Sequence, residues 1–246
     1  MNKSVFFISM ICWACTFPSV SDSAVIFRDD FNGTSVSGSW SIEHNDAGYY
    51  SVSGGLLSLR ANQGDIYAAR TDYKNVFRLP APVTGDYTVT LKIQQFVPAS
   101  VAYAQVALLI YDDSNNYLRN YYAYGGVLHR GAGQEINGSW SAQTGAVNFG
   151  STPFYFQYEK TGNSYQTLYS TDGVNFTALF NPVTFGDGTP TYLGFVAMVD
   201  STESSIAYID YFEVSDDSPE PVPVPEPLTI ISLGIGVAAV LRTRRG

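Results

Sequence analysis

The chain has 246 residues, a net charge of −9 and only two cysteines. Between residues 24 and 217, nine Lys and Arg are outnumbered by nineteen Asp and Glu and form no basic cluster, so nucleic acid and anionic lipid are poor partners for this surface. The many Tyr and Phe beside Gly, Ser, Thr and Asn favour strands and tight turns over helices.

The first 23 residues have the organisation of a signal peptide. Lys3 supplies a positive charge, residues 5–17 are almost wholly apolar, and small residues follow at 19–24. Cys12 and Cys15 both lie inside this segment, so the mature chain is predicted to contain no cysteine. Disulfides and thiolate metal sites are thereby excluded, and stability must come from a packed core.

Residues 24–215 contain short strand-like segments with almost no helical period. Residues 86–97 alternate apolar and polar side chains with a period of two, as a half-exposed antiparallel strand does. Eight more segments are predicted to be strands, namely 55–60, 104–111, 117–124, 153–160, 164–170, 175–180, 192–199 and 205–214. This number of strands at this spacing predicts a single all-β domain, an antiparallel β-sandwich of the jelly-roll type.

Six motifs in order resemble those of concanavalin A-like, laminin G-like sandwiches. They are Phe27-Arg28-Asp29-Asp30-Phe31 with Trp40, then 54–59, 107–113 followed by 116–117, 169–176, 193–197 and 207–214. The chain closely resembles the sandwich domain appended to some bacterial β-xylosidases, which implies the same fold and a core position for Trp40. The superfamily includes lectins, glycosidases and adhesive modules, so the resemblance leaves the function open.

A catalytic site is not apparent in the sequence. Glycosidases of the resembling class carry a Glu-x-Asp-x-x-Glu strand, whose carboxylates stand close enough for hydrolysis, and this pattern is missing here. His44 and His129 are far apart, with no nearby metal-ligand motif or nucleophile elbow. The sequence therefore predicts that the chain is not an enzyme, with a concanavalin A-like glycoside hydrolase as an alternative.

Aromatic residues beside polar ones favour carbohydrate binding, because sugar C–H faces lie on aromatic rings. A strand over 117–124 would place Tyr117, Arg119 and Tyr121 on one face, with Tyr122 and Tyr124 on the other. Trp140 stands in a polar Gly and Ser stretch, and His129 is a further candidate. The alternative is that these rings fill the core of the sandwich.

A structural calcium ion is a weaker prediction. Strict alternation in the last strand would put Asp210 on the apolar face with Phe212, where a carboxylate needs a partner. Asp29 or Asp30 in the first strand would complete the site if the two strands meet. The alternative is a hydrogen bond from Asp210 into a loop. No other cofactor is predicted.

The C-terminus predicts a short membrane segment. A Pro and acid-rich spacer at 216–227 precedes the apolar run Leu228 to Leu241, and 228–246 ends with Arg242, Arg244 and Arg245. As a helix, the run would reach about 21 Å, which is short of the hydrocarbon core of about 30 Å. The arginines would stay on the cytoplasmic side and leave the sandwich outside.

The order of Pro225-Glu226-Pro227, apolar helix and arginine cluster resembles the PEP-CTERM sorting signal of Gram-negative bacteria. The resemblance implies a transient inner-membrane anchor that an exosortase-type enzyme handles near the Pro-Glu-Pro. It also implies an organism that makes extracellular polysaccharide. The alternative is an ordinary anchor that is never cut.

These observations predict an exported glycan-binding protein of the cell surface or extracellular matrix, associated with extracellular polysaccharide. A purely structural or adhesive surface protein that binds no sugar is the main alternative.

Overall fold

The computed structural model describes residues 24–216 except 83, 100–102, 151, 186–189 and 203. The predicted signal peptide and the predicted sorting signal lie outside the described residues. Among the residues described, no helix has both the length and the apolar character needed to cross a membrane.

The described residues form strands joined by turns, with 3₁₀ helices only at Ala47–Tyr49 and Tyr67–Ala69. The strands are β1 (Ala24–Asp29), β2 (Ser41–Glu43), β3 (Tyr50–Ser53), β4 (Leu56–Arg60), β5 (Asn62–Gln63), β6 (Val76–Pro80), β7 (Tyr87–Val97), β8 (Ala104–Asp113), β9 (Asn116–Tyr124), β10 (Leu128–Ile136), β11 (Ser139–Ala146), β12 (Phe154–Thr161), β13 (Ser164–Ser170), β14 (Thr177–Ala178), β15 (Val183–Thr184), β16 (Tyr192–Val199) and β17 (Ile206–Asp216).

Two sheets stack to form a sandwich, which confirms the predicted fold class. Sheet A has the order β14-β13-β12-β7-β17-β4-β3, with β1 added along β17 and β15 along β13. Sheet B has the order β11-β10-β9-β8-β16-β6-β2. All pairs are antiparallel except the short β5, which lies parallel to β16.

The main core lies between the sheets and is rich in aromatic rings. Trp40 is 8% exposed and packs at 5.1 Å from Phe195 and 5.2 Å from Phe212, measured between ring centres. Phe77 stacks on Phe195 at 4.8 Å. The core position expected for Trp40 is thus confirmed, and its indole N–H donates to Asp29 at 2.8 Å.

The predicted strand segments coincide with observed strands, but one is shortened and eight observed strands were not among them. The predicted strand over 175–180 is reduced to Thr177–Ala178. The eight strands that were not predicted are β1, β2, β3, β5, β6, β10, β11 and β15, and the longest of them, β10 and β11, form the outer edge of sheet B.

Candidate functional site

The outer face of sheet B carries a second hydrophobic cluster. Residues 65–75 form a cross-over segment on this face, and Ile66 and Tyr73 of that segment are buried against the sheet. The phenol oxygens of Tyr73 and Tyr111 are 2.8 Å apart, and His44 stacks on Tyr73. The cross-over segment therefore packs on this face, and its turn at Tyr67–Ala69 reaches β10 and β11.

A cleft of about 590 Å³ lies between the cross-over segment and strands β8 to β11. Its walls contain the aromatic rings of Tyr67, Tyr121 and Trp140. Its polar lining includes Asp65 and Arg119. An aromatic cleft with a few converging polar groups is the usual form of a small-molecule or saccharide site.

Two glycines of β10 let aromatic rings lie directly on the sheet. A Cβ on Gly131 would overlap the phenol ring of Tyr121, and a Cβ on Gly133 would overlap the indole of Trp140. Both rings thus lie against the backbone of β10 at these glycines. This packing fixes their orientation before any ligand arrives.

Arg119 is the central cation of the cleft. Its side chain is only 8% exposed, and its guanidinium carbon lies 4.3 Å from the ring centre of Trp140 and 5.0 Å from that of Tyr121. Nη1 donates to Asp65 at 3.1 Å, and Gln105 donates to the same carboxylate at 3.2 Å. Since breaking a buried ion pair is costly, these contacts make the floor of the cleft rigid.

A fully buried carboxylate shapes the opposite wall. Glu135 accepts hydrogen bonds from the backbone N–H groups of Ala68 and Ala69 at 2.9 and 3.0 Å, and from the Tyr117 hydroxyl at 2.9 Å. Both alanines have left-handed φ angles, 55° and 59°. The adjoining Tyr67 meets Trp140 edge to face at 5.7 Å. Glu135 thus holds the strained turn at Ala68 and Ala69 in place, and this turn positions the ring of Tyr67 in the wall of the cleft.

Exposed ion pairs stand at the mouth of the cleft. Arg70 contacts Asp200 at 3.0 Å and Asp72 at 2.7 Å. The Arg70 guanidinium lowers the pKa of Asp72, so that this carboxyl stays ionised. Deeper in the site, burial raises the pKa of the Tyr117 and Tyr121 phenols, which remain neutral hydrogen-bonding groups.

The structure divides the predicted carbohydrate residues into two groups. Arg119, Tyr121, His129 and Trp140 line the cleft, and Tyr117 packs beneath Trp140. The predicted opposite faces of β9 are confirmed.

Tyr122 and Tyr124, in contrast, belong to the core between the sheets. The Tyr122 hydroxyl donates to Asn148 and accepts from the backbone of Phe149. Neither ring lines the cleft.

Several residues that line the cleft were not predicted, among them Asp65, Tyr67, Gln105 and Asp200, and neither was Glu135, which supports its wall. They come from four separate stretches of the chain, and Asp65 is 54 residues from its partner Arg119. No local spacing in the sequence marks them as one site.

The aspartates of the calcium hypothesis have separate partners. Asp29 accepts from Trp40 and from the backbone of Phe31, and Asp30 pairs with Arg28 at 2.7 Å. Among the described residues, no three or more His, Cys, Asp or Glu side chains are grouped so as to hold a metal ion. The calcium site stays a prediction.

The predicted orientation of Asp210 was wrong, because β17 is irregular where strict alternation was assumed. The register of β17 against β7 shifts on both sides of Ile209. Ile209 and Phe212 consequently both point into the core. Asp210 instead pairs with Lys92 at 2.9 Å on the outer side of sheet A.

Comparison with known proteins gives matches in structure only. No family model matches the chain, and no curated protein matches it. The GH43 protein BlXynB from Bacillus licheniformis matches with a TM-score of 0.68 and 18% identity over 77% of this chain. A xylan β-1,4-xylosidase from Bacillus halodurans matches with a TM-score of 0.64 and 14% identity over 77% of this chain. This chain spans 39% of each of these two proteins.

A β-1,3-glucanase from Mycobacterium marinum matches with a TM-score of 0.52 and 16% identity, over 77% of this chain and 98% of the glucanase. The resemblance to xylosidase sandwich domains is therefore confirmed at the level of the fold.

These matches correct the prediction that the chain is not an enzyme. The solved structures that share its fold include GH43 proteins, a xylosidase and a glucanase, so the fold is one found in glycoside hydrolases. The missing Glu-x-Asp-x-x-Glu pattern was too narrow a criterion, because it tested only one arrangement of carboxylates.

Proposed function

We propose that the chain binds a saccharide in the cleft on the outer face of sheet B. The observation that carries this proposal is the pair of rings, Tyr121 and Trp140, seated on Gly131 and Gly133 beside the buried ion pair of Arg119. The C–H face of a sugar can stack on fixed aromatic rings, and the polar groups next to the rings can form hydrogen bonds with the sugar hydroxyls. The names of the structural neighbours, a xylosidase and a glucanase, support glycan chemistry on this fold.

Replacing Trp140 by alanine is expected to weaken glycan binding about tenfold, or about 1.4 kcal/mol, because a stacking surface is lost from a preformed site. Binding to a polysaccharide array and calorimetry with the best ligand would measure this effect. Phe176→Ala is the matched control, since Phe176 packs near Tyr155 of sheet A, away from the cleft.

Two outcomes contradict this proposal. If no glycan on the array binds, the chain is a structural or adhesive protein. If Trp140→Ala and Phe176→Ala bind a glycan equally well, the saccharide occupies another surface.

Hydrolysis of the bound saccharide is the second candidate function, and the carboxylates of the cleft favour it. Glycoside hydrolysis uses two carboxylates, one as acid and one as base or nucleophile. Asp65 and Asp200 both line the cleft. Asp65 is held by three donors, from Arg119, Gln105 and the backbone of Tyr67.

Release of reducing ends from the oligosaccharide that binds best would test hydrolysis. Asp200→Asn is expected to abolish product formation without changing the fold, because the Asp200 side chain is 39% exposed. Asp86→Asn is the control, since Asp86 caps a turn of sheet A. Equal rates in both variants would contradict the assignment.

The site of action proposed for the chain is outside the cell, among extracellular polysaccharides. The sequence supports this through the signal-peptide pattern of residues 1–23 and the PEP-CTERM-like order of Pro225, Glu226, Pro227 and the terminal arginines. An exosortase-type enzyme would handle the tail at the inner membrane. Mass spectrometry of the secreted protein is expected to show a C-terminus near Pro227, and an intact Arg245 would contradict sorting.

A further inference from the structure

Two polar atoms in the floor of the cleft lack hydrogen-bond partners among the described residues. They are Nε of Arg119 and Oε1 of Gln105, on side chains of residues that are 6% and 2% exposed. Both residues line the cleft. A buried polar group without a partner is costly, so such atoms in a cleft indicate what a ligand must supply.

The orientation of the Gln105 amide is determined by its neighbours. Its nitrogen donates to the Asp65 carboxylate at 3.2 Å and to the Tyr103 carbonyl at 3.5 Å. The Asp65 carboxylate, which pairs with Arg119, and the Tyr103 carbonyl are both hydrogen-bond acceptors, so the donor of the Gln105 amide, its nitrogen, must face them. The amide oxygen is therefore the free atom, and it is an acceptor.

The floor thus presents one donor and one acceptor. Arg119 Nε–H can only donate, and Gln105 Oε1 can only accept. A hydroxyl group does both, and neighbouring hydroxyls on a sugar ring can satisfy the two atoms together. A carboxylate can accept from Arg119 but has no proton to donate to Gln105.

The charges of the cleft also disfavour an anionic ligand. Asp65 neutralises Arg119 in the floor, and Asp200 and Asp72 more than neutralise Arg70 at the mouth. Among the described residues that line the cleft, an incoming carboxylate would find no Lys or Arg without an acidic partner, and it would lie close to Asp65. Repulsion of this kind acts against binding in a partly desolvated site.

We infer that the cleft selects a neutral saccharide over a uronic acid, with its hydroxyls accepting from Arg119 Nε and donating to Gln105 Oε1. This inference rests on the proposed function of the same cleft. The rings of Tyr121 and Trp140 lie 5.0 and 4.3 Å from the Arg119 guanidinium carbon, so they would hold the sugar face while the floor forms hydrogen bonds with its hydroxyls.

Calorimetry with two sets of oligosaccharides tests this selectivity. The neutral probes are oligomers of glucose and xylose, and the acidic probes are oligomers of galacturonate and mannuronate. The best neutral probe is expected to bind at least tenfold more tightly than any acidic probe. Gln105→Leu is expected to weaken binding of that neutral probe about tenfold, because the acceptor is lost.

Gln63→Leu is the matched control, since Gln63 is exposed and lies outside the cleft. If Gln105→Leu does not fold, Arg119→Lys replaces it as the test variant, because lysine keeps the positive charge but lacks the Nε–H donor. It is expected to show the same loss.

The outcomes separate this inference from the proposed function. Acidic oligomers that bind as tightly as neutral ones, with a loss in Trp140→Ala, would overturn the selectivity and leave the cleft as a glycan site. An unchanged neutral affinity in Gln105→Leu or Arg119→Lys would also overturn it. No binding of either set would overturn the proposed function and this inference together.

Discussion

Replacement of Asp65 by alanine is expected to lower the free energy of unfolding by about 3–5 kcal/mol, because it leaves the buried Arg119 guanidinium without its counter-charge. The same change removes the acceptor for Gln105 and for the backbone N–H of Tyr67. Equilibrium unfolding in urea would measure the effect. Since the pair is buried, moderate salt is expected to change the result little.

An exposed aspartate provides the control. Asp30 pairs with Arg28 at a similar distance, but the Asp30 side chain is 41% exposed, and Asp30→Ala is expected to cost less than about 1 kcal/mol. The double variant Asp65→Leu with Arg119→Met is expected to be more stable than Asp65→Ala, because no unpaired charge remains. Equal losses in Asp65→Ala and Asp30→Ala would contradict the role assigned to the buried pair.

The central strands of the sandwich could be predicted because their side chains follow a period of two without interruption. The predicted strand over 192–199 has the observed bounds, and 86–97 differs from β7 by one residue. In these strands one local pattern, burial on alternate positions, determines the structure. The fold class follows from the sum of such strands.

Strand β10 was missed because Gly131 and Gly133 lower its strand propensity. In the structure these glycines are required, since the rings of Tyr121 and Trp140 occupy the space of their missing side chains. Their spacing of two residues places both on one face of a strand. That spacing, next to the aromatic strand 117–124, was the available signal for both the strand and the ring seats.

The polar residues in and around the cleft could not be predicted from any local sequence pattern. Gln105 and Asp65 are 40 residues apart, and Glu135 is 67 residues from the turn at Ala68 that it holds. These contacts depend on how the cross-over segment lies on sheet B, which is a property of the tertiary fold. The orientation of Asp210 was also predicted wrongly because of irregular backbone. The register shifts around Ile209 turn the Asp210 side chain to the outer face of sheet A.

The aromatic rings and the charged floor of the cleft are preorganised for binding. Tyr121 and Trp140 are held by the backbone of β10 and Arg119 is held by Asp65, so a ligand need not order them. A preformed site loses less conformational entropy on binding than a flexible one. The cross-over wall is the exception, because its alanines sit in strained backbone held by one carboxylate.

Replacement of Glu135 by alanine is therefore expected to release the wall of the cleft and to lower the free energy of unfolding by about 3 kcal/mol. Two backbone N–H groups and the Tyr117 hydroxyl would lose their acceptor, at a cost of about 1–3 kcal/mol each before water replaces it. The left-handed φ angles of Ala68 and Ala69 are then expected to relax, since Glu135 is the acceptor for both of their backbone N–H groups.

Hydrogen exchange is the measurement that separates release of the wall from general loss of stability. Faster exchange is expected at the amides of Ala68 and Ala69, with little change in the central strand β7. Glycan affinity is expected to fall because Tyr67 no longer backs Trp140, although Glu135 itself does not line the cleft. Unchanged exchange at both alanines in Glu135→Ala would show that packing, and not this carboxylate, holds the turn.

Replacement of Ala68 by glycine in the otherwise unchanged chain tests the backbone strain directly. The free energy of unfolding is expected to rise by up to about 1 kcal/mol, because glycine adopts a left-handed φ without steric cost.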